Sequence, residues 1–294
     1  MAVSYVTEKA NVNTLSYVLS RMLAPSLQKR VVCMNLMYIE PAPTASNVVR
    51  IRKSGALTAA AQTESTAFAL AANGELTDTY VDLTMAAAAV VSARSEQLDR
   101  FGGADGSLAR IAAEQGAALA RYVDNDALSL LASVSNTVTA TAGLTFDDLA
   151  TAQYYIFNAN CPDLDMSLAA ILGPRAFQKL NIAAHSSGAA AYANDAMLGI
   201  FKDTGGKPQA NGYRGEIYPG IGGYMTTGFA TTGGDDQQGL VHPKWGLAGT
   251  FDDSVRVKTA YKISEGFYEE VGSIYFYDVA EFNAGACCQI KSDT

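Results

Sequence analysis

The two histidines, His185 and His242, are the first candidates for acid–base or nucleophilic chemistry. A catalytic histidine needs a nucleophile within reach and a carboxylate that orients its ring. The chain contains no G-x-S-x-G motif that would supply a serine nucleophile, and His242 precedes a proline where a strand gives way to a loop. We therefore interpret both histidines as structural or exposed residues, and the sequence predicts no catalytic site.

A glycine-rich stretch at residues 215–234 is the next candidate, because glycine-rich loops can bind phosphate. It contains no G-x-x-x-x-G-K-[ST] motif, and residues 220–225 lack the last glycine of G-x-G-x-x-G. The stretch also follows no β–α–β pattern. Glycines of this kind are typical of turns, so the sequence predicts no cofactor there.

Pairs of adjacent acids could bind a hard cation, but calcium loops require alternate spacing and a closing glutamate. The pair Asp147-Asp148 fits a helix N-terminus, where negative charge is favourable. The four cysteines form no C-x-x-C pair and have no histidine at metal spacing. The sequence therefore predicts no metal site and indicates reduced, buried cysteines: Cys33, Cys161, Cys287 and Cys288.

Charge and hydropathy exclude further classes of protein. The chain has 21 basic and 29 acidic residues, a net charge of −8, and no basic cluster. Tight binding along a phosphate backbone needs a basic surface. The sequence therefore argues against tight nucleic-acid binding and is compatible only with loose enclosure of nucleic acid. No signal peptide is evident, and the longest apolar run, residues 85–91, is too short to cross a membrane. With no site for chemistry, the sequence favours a structural or binding protein.

The elements that build this protein begin with two amphipathic helices. Leu15, Met22 and their neighbours follow helical spacing before Pro25. Apolar residues then recur with a period of 3.6 from Leu108 to Val134, which predicts a helix on the order of 40 Å long, with Ser107 as its N-cap. Between the two helices, residues 31–39 are predicted to form a strand and residues 40–47 an extended connector.

Two alternating segments, 48–53 and 80–85, predict paired strands on either side of a segment poor in core residues. Residues 54–73 contain few large apolar side chains, among them Phe68 and Leu70. This pattern favours a protruding hairpin arm, although a surface loop remains an alternative.

The second half of the chain mixes helices and strands. A capping box at Thr145 predicts a helix with Phe146, Leu149, Ile156 and Phe157 facing inward. Later elements are predicted as strands at 168–172, 213–218, 224–229, 255–263 and 271–290, and as a helix from Pro174 with Phe177 and Leu180 on its core side. Helices and strands are segregated, which is typical of an α+β fold.

The order of these elements resembles the major capsid proteins of tailed bacteriophages, the Hong Kong 97 type fold. The segment RYVDNDALSLLA at 121–132 resembles the end of the family's spine helix, and LTFDDLATAQYYIFN at 144–158 resembles the following helix. LAAILGPRAFQKL at 168–180 resembles its strand-then-helix step. NGYRGEI at 211–217 and GLVHPKWG at 239–246 resemble strands of the axial domain.

The resemblance implies an α+β capsid fold with five parts. These are an N-terminal arm (1–47), an extended hairpin arm with its base strands (48–85), a first part of the peripheral domain with the spine helix (86–182), an axial domain (183–250) and closing strands of the peripheral domain (251–294). It implies hexamers and pentamers that form an icosahedral shell around double-stranded DNA. The location implied is the virion, after assembly in the host cytoplasm.

The resemblance also implies partners and contacts. The chain starts directly at the arm, which predicts a separate scaffolding protein. The family also implies a portal, and a decoration protein is a further possible partner. Candidate inter-subunit contacts are Arg50, Arg52 and Lys53 at the arm base, Phe68 and Leu70 in the arm, and Leu15 and Met22 in the N-terminal helix. The alternatives are an encapsulin-like compartment shell and, more distantly, an enzyme or ligand-binding protein that uses residues 211–239.

Overall fold

The computed structural model describes residues 17–25, 27, 30–43, 46–54, 78–95, 104–141, 143–159, 167–185, 212–228, 231–232, 235–262 and 268–293. The predictions for Leu15, Cys161, most of the hairpin excursion, Phe68 and Leu70 lie outside these residues.

Within the described residues, four α-helices and fourteen strands form the fold. The helices are α1 (17–25), α2 (Ala104–Ser129), α3 (Phe146–Asn158) and α4 (Pro174–His185). Short 3-10 helices occupy Cys33–Leu36, Leu130–Ser133 and Ala284–Ala286. The strands are β1 (Tyr38–Pro41), β2 (Val48–Ser54), β3 (Asp78–Thr84), β4 (Ala86–Ser95), β5 (Thr137–Ala140), β6 (Leu168–Leu172), β7 (Tyr213–Tyr218), β8 (Ile221–Met225), β9 (Thr231–Thr232), β10 (Asp235–Val241), β11 (Leu247–Phe251), β12 (Arg256–Lys262), β13 (Tyr268–Glu281) and β14 (Cys287–Asp293).

The long strand β13 is the centre of a five-stranded sheet. Strand β4 pairs with one of its edges, while β11 and β12 follow each other along the other edge, and β1 pairs with β11. Alternate β13 residues, including Val271, Tyr275 and Tyr277, are buried in one core with Leu119 and Val123 of α2. The sheet therefore has one face covered by the long helix.

A seven-stranded sheet is ordered β5-β14-β10-β6-β8-β7, with β9 beside β10. Its core includes Leu149 and Ile156 of α3 and Leu180 of α4, all fully buried. The predicted strand at 271–290 is wrong as one element, because β13 ends at Glu281 and β14 belongs to this second sheet. The predicted segments 86–182, 183–250 and 251–294 each contribute strands to it, and their boundaries stay a prediction.

Helix α3 and strand β6 form as predicted. The Thr145 side chain accepts a hydrogen bond from the Asp148 N–H and the Asp148 side chain accepts one from the Thr145 N–H, which completes the capping box. All five β6 residues are buried. The inward orientation of Phe157 is wrong: it is 40% exposed, because it lies next to the fully buried Ile156 and therefore about 100° around the helix from it.

The long helix α2 has 26 residues and is about 39 Å long at 1.5 Å per residue. It begins before Ser107, so that residue is not the N-cap, and it gives way to a 3-10 helix at Leu130. The predicted stripe is buried at Leu119 and Val123, whereas Tyr122 is 58% exposed.

Two strand predictions need correction. Residues 31–39 are not one strand, because Cys33–Leu36 form a 3-10 helix before β1. The strand predicted at 224–229 is shifted, since β8 runs from Ile221 to Met225 through two glycines. A Cβ atom on Gly223 would lie 2.5 Å from the Ile217 side chain, so this strand needs glycine for close approach to β7.

Candidate assembly surfaces

The base of the predicted hairpin arm is a two-stranded antiparallel ribbon. Strands β2 and β3 pair from Val48 opposite Thr84 to Ser54 opposite Asp78. Ile51 and Leu83 are buried on one face, as the alternation predicts. The ribbon leads directly into residues 55–77, so it fixes where that segment leaves the body.

An ion pair crosses the exposed face of this ribbon. Arg50 lies opposite Asp82 in the register and donates two hydrogen bonds to its carboxylate, Nε to Oδ1 at 2.6 Å and Nη2 to Oδ2 at 2.8 Å. The guanidinium also lies over the Tyr80 ring, 5.5 Å from its centroid. Hydrogen bonding to Arg50 holds the pKa of Asp82 below its ordinary value. Arg50 therefore has partners within its own chain.

The ribbon is rooted on the body by a small apolar cluster. Ile51 and Leu83 pack with Ala248 of β11 and Phe282, and the Trp245 ring stacks on Phe282 at 5.9 Å. One backbone contact adds to this cluster, since the Thr84 N–H donates to the Asp278 carboxylate of β13. The Met85 N–H donates to the Asn47 carbonyl and extends the pairing of the ribbon itself. The direction of the arm is thus set by contacts with the five-stranded sheet.

A buried carboxylate joins three distant parts of the chain. Asp124 of α2 is 2% exposed and accepts hydrogen bonds from the backbone N–H groups of Val32 and Cys33, each at 3.0 Å. It also accepts one from the Thr226 hydroxyl after β8, at 2.9 Å. Burial raises the pKa of Asp124 despite these donors. This residue holds the N-terminal segment and the end of β8 against the long helix.

A second buried polar residue ties α2 to the sheet beneath it. The Gln115 amide donates to the Ser92 hydroxyl of β4 at 2.7 Å and to the Val271 carbonyl of β13 at 2.8 Å. Its carbonyl oxygen accepts a hydrogen bond from the Ser273 hydroxyl. Sequence reasoning missed Gln115 and Asp124, although both are polar residues beside buried positions of the predicted stripe.

Those candidates for chemistry that the structure describes are not assembled into a reactive site. His242 is fully buried, with Nδ1 2.7 Å from the Pro243 carbonyl oxygen, and the side chain of His185 lies outside the described residues. Burial raises the pKa of the Cys33 and Cys288 thiols, to about 12 for Cys288, which disfavours the reactive thiolate. Among the described residues, no group of three or more histidines, cysteines and acids could hold a metal ion.

The remaining predicted contact residues are placed as follows. Arg52 is exposed and Lys53 half-buried on β2, and Met22 is 42% exposed on α1 while Leu19 and Leu23 are buried. Several further apolar side chains are exposed: Tyr17, Val18, Val91, Tyr122, Tyr154, Tyr155, Phe157 and Ile182. No described helix has both the length and the apolar character needed to span a membrane.

No protein-family model matches the sequence, and no curated protein matches it. Solved structures do match in fold. A chain of the capsid of a native GTA particle is 10% identical, with 90% of each chain covered and a TM-score of 0.61. A chain from Mycobacterium phage Che8 is 19% identical over 89% of this chain and 91% of that chain, with a TM-score of 0.58.

The third similar structure is a chain in the asymmetric unit of the bacteriophage PhiM1 mature capsid. It is 12% identical, with 88% of this chain and 86% of that chain covered and a TM-score of 0.56. Similarity at these identities concerns the fold, and it extends over nearly the whole chain in each case. This chain therefore shares its α+β fold with capsid chains of a bacteriophage and of a gene-transfer-agent particle.

Proposed function

We propose that this chain is a major capsid protein of the Hong Kong 97 type and a structural protein without enzymatic activity. The observation that carries the proposal is the fold match over about nine-tenths of the chain to capsid chains of comparable length. Copies of the chain form hexamers and pentamers, and these close into the icosahedral head of a tailed phage. The proposal includes the five predicted parts of the chain, from the N-terminal arm to the closing strands at 251–294.

The rooted ribbon supports a clasping role for the hairpin arm. Ile51 and Leu83 anchor the ribbon on its own subunit, so the segment at 55–77 starts from a fixed position and direction. The arm reaches over a neighbouring subunit, where Phe68 and Leu70 make apolar contacts. Arg52 and Lys53 at the base, and Leu15 and Met22 at the N-terminal helix, contribute to the same set of inter-subunit contacts.

The charge of the chain supports loose enclosure of double-stranded DNA. A net charge of −8 without a basic cluster gives no surface for tight phosphate contacts. An acidic lining repels the phosphates weakly, so packed DNA can slide along it. A scaffolding protein and a portal assist assembly in the host cytoplasm, and the finished shell is part of the virion.

Negative-stain electron microscopy of the chain, expressed with its neighbouring genes, tests this proposal. Closed polyhedral particles or ring-shaped capsomers are the expected result. Nuclease-protected double-stranded DNA inside phage-derived particles identifies a head shell, whereas enclosed cargo proteins would identify an encapsulin-like compartment. Compact monomers alone, with a scaffolding protein present, would refute the assembly function.

A further inference from the structure

Strand β4 leaves one long edge of the five-stranded sheet unpaired. Its ten residues pair with β13 from Ala86 opposite Tyr277 to Ser95 opposite Tyr268. In the part of the chain that the structure describes, no strand pairs with the other edge of β4. A row of backbone N–H and C=O groups is therefore presented along that edge, and only another extended backbone can satisfy such a row in order.

The side chains of the first seven residues of β4 do nothing to prevent such pairing. Residues 86–92 contain no charge and no proline, and alternate members face α2 or solvent. Ala88 is 5% exposed and belongs to the core under α2, whereas Val91 on the opposite face is 67% exposed. Soluble proteins usually protect edge strands with charges, proline or bulges. The one charged residue of β4 is Arg94 near its end, and an edge whose first seven residues carry no charge is consistent with a strand that becomes paired in the working assembly.

We propose that β4 pairs antiparallel with β4 of a second copy of this chain across a two-fold axis, so that one sheet runs through both subunits. This inference rests on the proposed shell function, which supplies the second copy. A contact between equal surfaces on two copies has two-fold symmetry.

The other strands with open edges fit less well as partners. Strand β2 carries Arg50, Arg52 and Lys53, β3 carries Asp78 and Asp82, and β1 has four residues and ends at a proline. Of the remaining outer strands, β12 carries Arg256, Lys258 and Lys262, β7 carries Arg214 and Glu216, and β5 has only four residues. Self-pairing centred on Ala89 places residues 86–92 opposite residues 92–86, so that all seven pairs are uncharged. Like charges opposite each other would destabilise the pair, and this register contains none.

The position of α2 is compatible with this pairing. Gln115 contacts both Ser92 and Val271, which are direct partners in the register of β4 and β13, so α2 lies over both strands together. Adjacent strands are about 4.8 Å apart, and the two copies of α2 would therefore lie about 10 Å apart, which is close to the usual distance of packed helices. The two-fold axis keeps both helices on the same face of the continuous sheet.

Cysteine cross-linking in assembled particles tests the pairing and its register. Opposite residues of an antiparallel pair have Cα atoms about 4.5–5.5 Å apart, which suits a disulfide. Ala89→Cys is expected to give disulfide-linked dimers on oxidation with diamide. Ala87→Cys alone is not, because two copies of Ala87 would be about 14 Å apart along the strand, but particles mixed from Ala87→Cys and Val91→Cys chains are expected to cross-link.

The control variant is Tyr154→Cys. Tyr154 is 62% exposed, and its helix α3 packs against the seven-stranded sheet. All variants also carry Cys161→Ser. Particles in which neither the Ala89→Cys chain nor the mixed pair cross-links, or in which the Tyr154→Cys chain cross-links to the same extent, would overturn the pairing while the shell function stands. A wild-type chain that forms no particles would overturn the shell function and the pairing together.

Discussion

Replacement of Asp124 by alanine tests how the long helix holds the N-terminal segment and the second sheet in place. The substitution removes the acceptor for three buried donors, the N–H groups of Val32 and Cys33 and the hydroxyl of Thr226. A buried donor without a partner costs about 1–3 kcal/mol. Three such donors therefore destabilise the fold by at least about 3 kcal/mol.

We expect Asp124→Ala to lie near the lower end of that range. Burial raises the pKa of Asp124, which means that the folded protein disfavours the charged carboxylate and that part of the lost hydrogen bonding is offset. A loss of about 3 kcal/mol corresponds to a decrease in Tm of about 5 °C for a chain of 294 residues, at about 2.1 cal/mol/K of unfolding entropy per residue. Asp124→Asn keeps one acceptor oxygen for the two N–H groups, so a smaller decrease is expected.

The raised pKa of Asp124 also predicts a pH dependence. A carboxyl group whose pKa is higher in the folded than in the unfolded state binds a proton more tightly when the protein is folded. Its stabilising effect is therefore complete below the unfolded pKa and is lost as pH rises through the folded pKa. The difference in unfolding free energy between wild type and Asp124→Asn should widen as pH is lowered from 7 towards 4.

The assay is chemical denaturation of the unassembled subunit, with Asp126→Ala as the matched control on the same helix. Asp126 is exposed and accepts a hydrogen bond from the Tyr277 hydroxyl at 3.0 Å, so its replacement removes one contact only. A free energy of unfolding for Asp124→Ala within about 1 kcal/mol of that of the control would refute the reasoning, because one typical hydrogen bond contributes about 1 kcal/mol. A stability difference that narrows on acidification would refute the assigned direction of the pKa.

Three further predictions concern the arm and the two cores. Deletion of residues 56–72 should leave a folded subunit, as judged by circular dichroism and Tm, because the ribbon and its root lie outside the deleted segment. The deletion should nevertheless abolish shells. An unfolded product would show that the segment is core. Gln115→Leu should reduce the free energy of unfolding by about 1–3 kcal/mol, since it leaves the fully buried Ser273 hydroxyl without its acceptor. An unchanged denaturation midpoint would contradict this role. Ile156→Ala should lower the free energy of unfolding by about 2–5 kcal/mol because Ile156 is fully buried. Phe157→Ser, at the exposed neighbouring position, should leave the Tm of the subunit nearly unchanged. Equal decreases in Tm for the two variants would show that Phe157 is buried in the subunit.

Local signals in the sequence account for the elements that were predicted correctly. The capping box at Thr145, the fully apolar run of β6 and the alternation of β2 and β3 each depend on residues close together in the chain. Such patterns determine which elements form and which of their faces are buried.

The errors arise where distant parts of the chain decide the structure. Cys33 begins a 3-10 helix, where a strand was predicted, and its N–H group and that of Val32 bind Asp124, which is about ninety residues away. The strands β13 and β14 are separated by a short 3-10 helix, and their assignment to different sheets depends on pairing with β4 and β10. Periodicity alone contains no information about those partners.

The candidate surface at β4 shows the same limit. In the sequence, the apolar run that includes Val91 indicates only a segment too short to cross a membrane. The structure places it at a sheet edge with Ala88 facing α2 and Val91 exposed. The edge position of β4 depends on which strands pair with one another, and the residues of β4 alone do not determine that pairing.

Cryo-electron microscopy of particles produced with the neighbouring genes tests the central claim most directly. We expect an icosahedral map in which this chain fits as five- and six-membered capsomers, with the segment after Ser54 crossing onto a neighbouring subunit. A map in which the shell is built from a different chain, or a preparation in which this chain remains monomeric beside complete heads, would contradict the account.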